Sequence, residues 1–282
     1  MVKQIFCGFL CLLLGFTLTA CAANPRSISD SDANAQDAAV PEPKLYVALG
    51  DSIARGYGLE DIEKQRYSTL LCDQLGEGWT VENYGVDGQT SGELLTYIAD
   101  GHTPRLAEAD LITVSIGANN LLRPASNFMK IILAGPDENS SYLADALHAF
   151  SAFLEAQTEG VAALDEDIPR LIEAIRAVNP TAQILFQTIY SPYARIPWSI
   201  ILGSKKLDLP TLSDNCVTAL NACIDAHTDE GYTVADVYTA FSESETNPVN
   251  ATQNPLNLDP HPNADGHMLI AQTYASLLRP LH

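Results

Sequence analysis

The chain has 282 residues, of which 46% are hydrophobic, and this length suits one large α/β domain better than two small ones. Its 35 acidic and 15 basic residues give a formal net charge of −20. A surface with that charge repels nucleic acid and anionic lipid headgroups, so we exclude a nucleic-acid partner. The simplest interpretation of the acidic surface is that it keeps the protein soluble.

The first twenty residues predict a targeting signal. Lys3 provides a positive start, and residues 5–16 form an apolar stretch too short for a membrane span. Residues 18–21, Leu-Thr-Ala-Cys, resemble the lipobox of bacterial lipoproteins, although cleavage as an ordinary secretory peptide is the alternative. We therefore expect a signal peptide at 1–20 and a lipid on Cys21. Such a lipid would anchor the exported protein to the cell membrane, outside the cytoplasm.

Residues 22–43 are rich in small and polar side chains, so the segment 21–43 is predicted to be the lipidated cysteine followed by a disordered tether. The folded domain is then 44–282. It contains Cys72, Cys216 and Cys223. Cys216 and Cys223 could pair, but on a single helix they would lie about 10 Å apart, which is too far for a disulfide. There is no CxxC motif, and we expect neither a metal nor an organic cofactor.

Strand and helix patterns alternate along the domain. The predicted strands are 45–49, 79–84, 111–116, 184–189 and 233–237. The predicted helices are 65–75, 92–98, 142–154, 168–178, 217–227 and 264–278. Such alternation is typical of a parallel sheet covered by helices on both faces.

Two stretches exceed a minimal α/β unit. Residues 121–160 form a long, mostly helical insertion, which we interpret as extra packing. Residues 191–212 are apolar but irregular, and they could be either a functional lid or ordinary packing.

Ligands bind at the carboxyl ends of the strands in such sheets, and polar segments follow the first three predicted strands, while a fourth precedes the last predicted helix. The segments are Gly50-Asp51-Ser52, the glycine-containing turn 83–90, Gly117-Ala118-Asn119-Asn120 and Asp259-Pro260-His261-Pro262-Asn263. These four segments, in this order, resemble the four sequence blocks of the SGNH (GDSL-type) hydrolases, from about residue 44 to the C-terminus. The resemblance implies a flavodoxin-like, three-layer α/β/α sandwich with a parallel sheet of about five strands. It also implies hydrolysis of esters, thioesters or acylated sugars.

The resemblance further implies roles for individual residues. Ser52 matches the nucleophile, and His261 matches the base that takes its proton. Asp259 is the candidate for orienting His261. The backbone N–H groups of Ser52 and Gly88, with the side-chain amide of Asn119, match the oxyanion hole.

Two positions depart from the family pattern. The acidic residue usually lies three positions before the histidine, where this chain has Leu258; Asp259 lies only two before. Asn120 stands where the family often has aspartate.

The leading hypothesis is an exported esterase or lipase acting on small-molecule or lipid esters. A carbohydrate acetyl esterase acting on glycans is the alternative. A non-catalytic lipoprotein binding module is the alternative from another class.

Overall fold

The computed structural model describes residues 42–135, 141–254 and 257–278. The predicted signal peptide, Cys21 and nearly all of the predicted tether therefore lie outside the described residues. Glu42 and Pro43, the last two residues of that tether, are exposed and have no regular secondary structure. Within the described ranges, no helix is both long enough and apolar enough to cross a bilayer.

The described residues contain seven strands. They are β1 (Lys44–Gly50), β2 (Trp79–Gly85), β3 (Leu111–Ser115), β4 (Gln183–Gln187), β5 (Ser199–Leu202), β6 (Lys205–Asp208) and β7 (Thr233–Ala235). Five of them form a parallel sheet in the order β2-β1-β3-β4-β7, while β5 and β6 pair as an antiparallel hairpin. The strand order changes direction at β1, so the crevice expected for ligands lies at its carboxyl end.

The α-helices of the described ranges cover both faces of this sheet. They are α1 (Ser52–Arg55), α2 (Ile62–Gln65), α3 (Tyr67–Leu75), α4 (Ser91–Ala99), α5 (Ala118–Ala134), α6 (Tyr142–Val178), α7 (Leu209–Ala226), α8 (Val237–Glu243) and α9 (Ala264–Leu277). The predicted helices at 65–75, 92–98 and 264–278 are confirmed to within two residues at each end. The predicted strands also occur, although 184–189 and 233–237 end two residues early.

Side chains of β1 alternate between the two layers of helices, as the two-residue period of a strand requires. Val47 and Leu49 are fully buried in a core formed with α4, α6 and α7. Tyr46 and Ala48 are buried in a second core, formed mainly with α3, α8 and α9. The predicted three-layer α/β/α sandwich is therefore confirmed.

The prediction of separate helices at 142–154 and 168–178 is wrong, because α6 is one continuous helix of 37 residues. Pro169 lies inside it and removes one backbone hydrogen bond, but buried side chains on both sides of Pro169 hold the helix in place. Gly160 allows α6 to approach α5 closely. A Cβ at this position would lie 2.3 Å from the carbonyl oxygen of Asn120.

Residues 191–212 are also more regular than predicted. They contain the β5–β6 hairpin, and α7 begins at Leu209 rather than at residue 217. Asp208 caps this helix by accepting a hydrogen bond from Thr211 N, with Pro210 in the first turn. Both residue types are common at helix N-termini, so the sequence contained a signal for the earlier start.

Candidate active site

Ser52 lies in a sharp turn at the carboxyl end of β1. Gly50 ends the strand with φ +142°, and a Cβ there would lie 2.1 Å from the carbonyl oxygen of Ser115 on β3. Asp51 then caps α1, with Oδ1 accepting a hydrogen bond from Ile53 N at 2.9 Å. Glycine at position 50 and a capping aspartate at 51 therefore let the chain pass from strand to helix within one residue, with Ser52 at the start of the helix.

A chain of hydrogen bonds joins Ser52 to His261 and Asp259. His261 Nε2 lies 2.9 Å from Ser52 Oγ, and His261 Nδ1 lies 2.5 Å from Asp259 Oδ1. A proton on Nδ1, facing the carboxylate, leaves Nε2 free to accept the serine proton. The structure thus brings together the three residues that we predicted from the sequence as nucleophile, base and orienting acid.

The short spacing between Asp259 and His261 is accommodated by a local turn. Asp259 Oδ1 accepts hydrogen bonds from both the ring Nδ1 and the backbone N of His261, the latter at 3.2 Å. Desolvation by partial burial acts to raise the pKa of Asp259. The hydrogen bonds from His261 outweigh this effect, so the pKa of Asp259 lies below its usual value. Asp259 is therefore an anion at neutral pH, in contact with the imidazole that would gain a proton.

Asn250 holds the other side of Asp259 and was missed by sequence reasoning. Its Nδ2 donates to Asp259 Oδ2 at 3.0 Å, while its backbone N donates to the carbonyl of His261 at 2.9 Å. These two bonds fix the carboxylate and the histidine relative to one another. No pattern in the sequence singles out this asparagine, because it lies in an irregular loop.

Two tyrosines that follow β4 also hold the His261 loop. Tyr190 donates its hydroxyl proton to the carbonyl of Pro260 at 2.8 Å, and Tyr193 donates to that of Leu258 at 3.1 Å. Tyr57, from the loop after α1, covers the His261 ring at a centroid distance of 4.5 Å. The position of Tyr190, three residues after a parallel strand, was a usable signal for a role near the site.

Asn119, a predicted oxyanion donor, lies beside the turn formed by Gly50, Asp51 and Ser52. Its Nδ2 donates to Asp51 Oδ2 at 3.2 Å and to the carbonyl of Gln89 at 3.0 Å. An amide has two hydrogens, and both have protein acceptors here. Its predicted donation to an oxyanion therefore implies that one of these bonds is exchanged when substrate binds.

Burial is the main influence on Asp51 and raises its pKa to about 7, although the hydrogen bond from Ile53 N acts in the opposite direction. This carboxyl group contacts Asn119 and directly precedes Ser52. Its charge state near neutral pH therefore alters the field around the proposed oxyanion position.

Gly88, the third predicted oxyanion position, lies in a turn beside the same site. Val86 N donates to the carbonyl of Gly50 at 2.9 Å, and Gln89 accepts from Asn119 as described above. Gly88 has φ +74°, and a Cβ there would meet no atom within 4 Å. Glycine is required here by the left-handed backbone rather than by a crowded neighbour within the protein.

A cavity of about 490 Å³ begins at Ser52 and His261 and extends along α5. We call it the α5 cleft. One wall is a face of α5, and the others come from α6, from α7 and from the segment that follows β4. Most lining side chains are apolar, including Leu121, Phe153 and Leu220. Ser52 thus has hydrogen-bonded polar groups on one side and an apolar cavity on the other.

The three cysteines of the folded domain take no part in the hydrogen bonds around Ser52. Cys216 and Cys223 both lie on α7 and are free thiols, as is Cys72 on α3. The two α7 cysteines thus lie on a single helix, the arrangement for which we predicted that they are too far apart to form a disulfide. Among the described residues, no group of three or more His, Cys, Asp or Glu is arranged to hold a metal ion.

Comparison with protein families gives a match to the GDSL-like lipase/acylhydrolase family over residues 48–269. The chain belongs to this family. It is therefore a hydrolase of the GDSL (SGNH) type, a family of serine hydrolases. A comparison with curated individual proteins finds no match.

Solved structures confirm that the fold is shared. The extracellular lipase of Streptomyces rimosus matches with a TM-score of 0.61 and 21% identity, over 83% of this chain and 100% of the lipase. Phospholipase A1 from Streptomyces albidoflavus gives 0.59 and 18%, over 83% and 99%. A catalytic mutant of an acetylxylan esterase from Geobacillus stearothermophilus gives 0.51 and 16%, over 84% and 94%. These neighbours share the fold but differ in the substrates that their names imply, so they do not select a substrate for this chain.

Proposed function

We propose that this protein is a carboxylic ester hydrolase of the esterase or lipase type that acts outside the cytoplasm, with Ser52 as nucleophile, His261 as base and Asp259 as the orienting acid. The observation that supports it best is the unbroken series of contacts from Ser52 Oγ through the His261 ring to Asp259 Oδ1. A serine hydroxyl is a weak nucleophile until an adjacent base takes its proton. The described contacts provide that base at hydrogen-bonding distance, already oriented by a carboxylate.

In the proposed reaction, Ser52 Oγ attacks the acyl carbonyl carbon while His261 Nε2 takes the hydroxyl proton. The tetrahedral intermediate collapses, the bond to the alcohol oxygen breaks, and His261 returns the proton to that oxygen. Water then attacks the acyl-enzyme with His261 again as base, releasing the carboxylic acid and restoring Ser52. No metal or organic cofactor takes part in these steps.

The developing oxyanion needs donors that are fixed before the reaction. We assign this role to the backbone N–H groups of Ser52 and Gly88 and to the Asn119 amide. The hydrogen bond from Asn119 Nδ2 to Asp51 and the bond from Val86 N to the Gly50 carbonyl keep both donors close to Ser52, which supports this assignment. The Asn119 amide gives up one of its present acceptors to reach the oxyanion. Loss of one such donor typically lowers turnover by about 10²–10³.

The α5 cleft favours an ester with a hydrocarbon acyl chain over an acetylated glycan. Sugars need hydrogen-bonding partners, whereas the cleft next to Ser52 offers mainly hydrocarbon. A carbohydrate acetyl esterase remains the alternative within the enzyme class. A clear preference for acetylated xylan or peptidoglycan over acyl esters in a substrate panel would favour that alternative.

Replacement of the nucleophile tests the proposal. We expect Ser52→Ala to lower kcat/KM for short p-nitrophenyl esters by about 10⁴-fold or more, because no other group can form the acyl-enzyme. Ser242→Ala, which changes an exposed serine on α8, serves as the matched control and should behave like wild type.

Fluorophosphonate labelling separates the enzyme from a non-catalytic binding module. The probe should modify wild type and Ser242→Ala, but not Ser52→Ala. Wild-type turnover in Ser52→Ala, or absence of labelling at Ser52 in wild type, would overturn the assignment.

The location outside the cytoplasm and the lipid anchor on Cys21 are part of the same proposal. Both rest on the sequence of the first 21 residues, which lie outside the described ranges. In a bacterial host, Cys21→Ser should abolish incorporation of labelled palmitate and release the protein from the membrane fraction. Unchanged palmitate labelling in that variant would contradict the anchor.

A further inference from the structure

The α5 cleft follows α5 from the helix's first turn to its last. The apolar lining residues of α5 are Ala118, Leu121, Leu122, Ala125, Phe128, Met129 and Leu133, and Asn119, Ser126 and Lys130 line the cleft beside them. Their spacing of mostly three or four residues places them on one face of the helix. Side chains on that single face therefore form one continuous wall.

The two ends of this wall differ in their surroundings. Asn119, in the first turn, contacts Asp51 next to the nucleophile, so the beginning of α5 lies at the reacting carbonyl. Leu133, in the last turn, is 56% exposed, so the cleft reaches the surface there. At 1.5 Å per residue, the helix advances about 21 Å between these two residues.

The opposite wall is also apolar over a long distance. The lining residues of α7 extend from Leu209 to Leu220, which corresponds to about 16 Å of helix. Phe153 of α6 stacks against Phe128 of α5 at a centroid distance of 5.4 Å. A volume of about 490 Å³ between such walls is in the range of small-molecule binding sites. The cleft is thus bordered mainly by apolar side chains along most of the length of α5.

We propose that the α5 cleft binds a long, unbranched acyl chain with its carboxyl carbon at Ser52 and its methyl end towards Leu133. We further propose that the length of α5 sets the preferred chain length. An extended alkyl chain advances about 1.25 Å per carbon, so 21 Å corresponds to about sixteen or seventeen carbons. This inference deepens the proposed function and rests on Ser52 as the nucleophile. It assigns a substrate-length role to the insertion, which the sequence indicated only as extra packing.

Ala125 is the residue at which this inference can be tested most sharply. It lies in the middle of the α5 wall, seven residues after Ala118, or about 10 Å along the helix. A phenylalanine there would block the cleft beyond about eight carbons. Asn127 lies on the same helix but is exposed and does not line the cleft, so Asn127→Phe is the matched control.

The experiment measures binding without turnover. In a Ser52→Ala background, saturated fatty acids from butyrate to stearate displace fluorescent cis-parinaric acid. Affinity should rise by about fourfold per added methylene and level off near palmitate, because each methylene buries further apolar surface. Adding Ala125→Phe should move this plateau to near octanoate, whereas adding Asn127→Phe should leave it unchanged.

A kinetic series with p-nitrophenyl esters, kept below their micellar concentrations, should show the same shift in the active enzyme. Ala125→Phe should lower the ratio of kcat/KM for palmitate to that for butyrate by more than about 100-fold. If Ala125→Phe does not fold, as judged by circular dichroism, Cys216→Phe blocks the cleft from α7 and should also shorten the plateau.

The outcomes separate this inference from the proposed function. Affinity that does not depend on chain length, or an equal effect of Asn127→Phe, would overturn the long-chain inference. Ester hydrolysis by wild type without fatty-acid binding would leave the proposed function standing alone. Fatty-acid binding without any ester hydrolysis would instead overturn the function and keep the binding site.

Discussion

On one side of Ser52 the side chains are polar and joined by hydrogen bonds, whereas on the other side the α5 cleft is lined mainly by carbon. The polar side comprises His261, Asp259 and Asn250, which lie in loops at the carboxyl end of the sheet. The apolar side is built from long helices. We therefore expect the two sides to control different quantities. The polar side should set the rate for every substrate, whereas the apolar side should set the choice among substrates.

The largest effect expected in testing this comparison is that of Asp259→Asn. The N–H of the new amide opposes a donor on either side, His261 N or Asn250 Nδ2. Facing His261, it favours the tautomer with its proton on Nε2, which cannot accept the serine proton. We expect kcat/KM to fall by about 10³–10⁴-fold, equally for p-nitrophenyl acetate and octanoate. Full activity in this variant would mean that another group orients His261. A loss that depends on chain length would mean that the polar side also affects the choice among substrates.

Asn250→Ala should lower activity less than Asp259→Asn does. It removes one donor from Asp259 Oδ2 but leaves the contact between Asp259 Oδ1 and His261, so a loss of roughly tenfold is expected. Asn215→Ala, at an exposed position on α7, serves as the control for loss of an asparagine.

Except for Asn250, the polar side could be predicted from the sequence because its residues occur in short motifs, either at strand ends or directly before the last helix. Once the strands are recognised as parallel, their carboxyl ends must meet at one edge, which brings Ser52 and Asn119 together. His261 was predicted from the motif that precedes the last helix and not from a strand end. The spacing of Asp259 from His261 was one of the two departures from the family pattern. Its resolution depends on a local turn in which one carboxylate oxygen accepts two hydrogen bonds, and spacing alone does not reveal such a turn.

The apolar side could not be predicted to the same extent because its parts stabilise one another over long sequence distances. Phe128 of α5, Phe153 of α6 and Leu202 of β5 share one small core. None of these segments shows locally that the others will cover it. Gly160 and Pro169, which suggest breaks when read in isolation, lie within a continuous helix because packing outweighs their intrinsic preferences.

The smallest effect, a pH-dependent change in stability, concerns Asp51, which joins the polar side to the nucleophile turn. Burial raises the pKa of Asp51 from 3.8 to about 7. Between those values the folded protein keeps a proton that the unfolded chain has lost, so the contribution of Asp51 to the free energy of unfolding falls as pH rises. The slope is at most about 1.4 kcal/mol per pH unit. We expect the stability difference between wild type and Asp51→Asn, measured by urea unfolding, to decrease from about pH 4 to about pH 7 and then level off.

Asp51→Asn also carries a cost in stability that does not depend on pH, because its amide must face either Ile53 N–H or the Asn119 amide. The pH-dependent part is therefore the test, with Asp110→Asn as the control for loss of an exposed carboxylate that accepts a backbone N–H. A difference that does not change with pH would mean that the two donors keep Asp51 ionised throughout. The oxyanion would then form beside a permanent negative charge on Asp51. The Asn119 amide would have to break its hydrogen bond to Asp51 in order to stabilise the oxyanion.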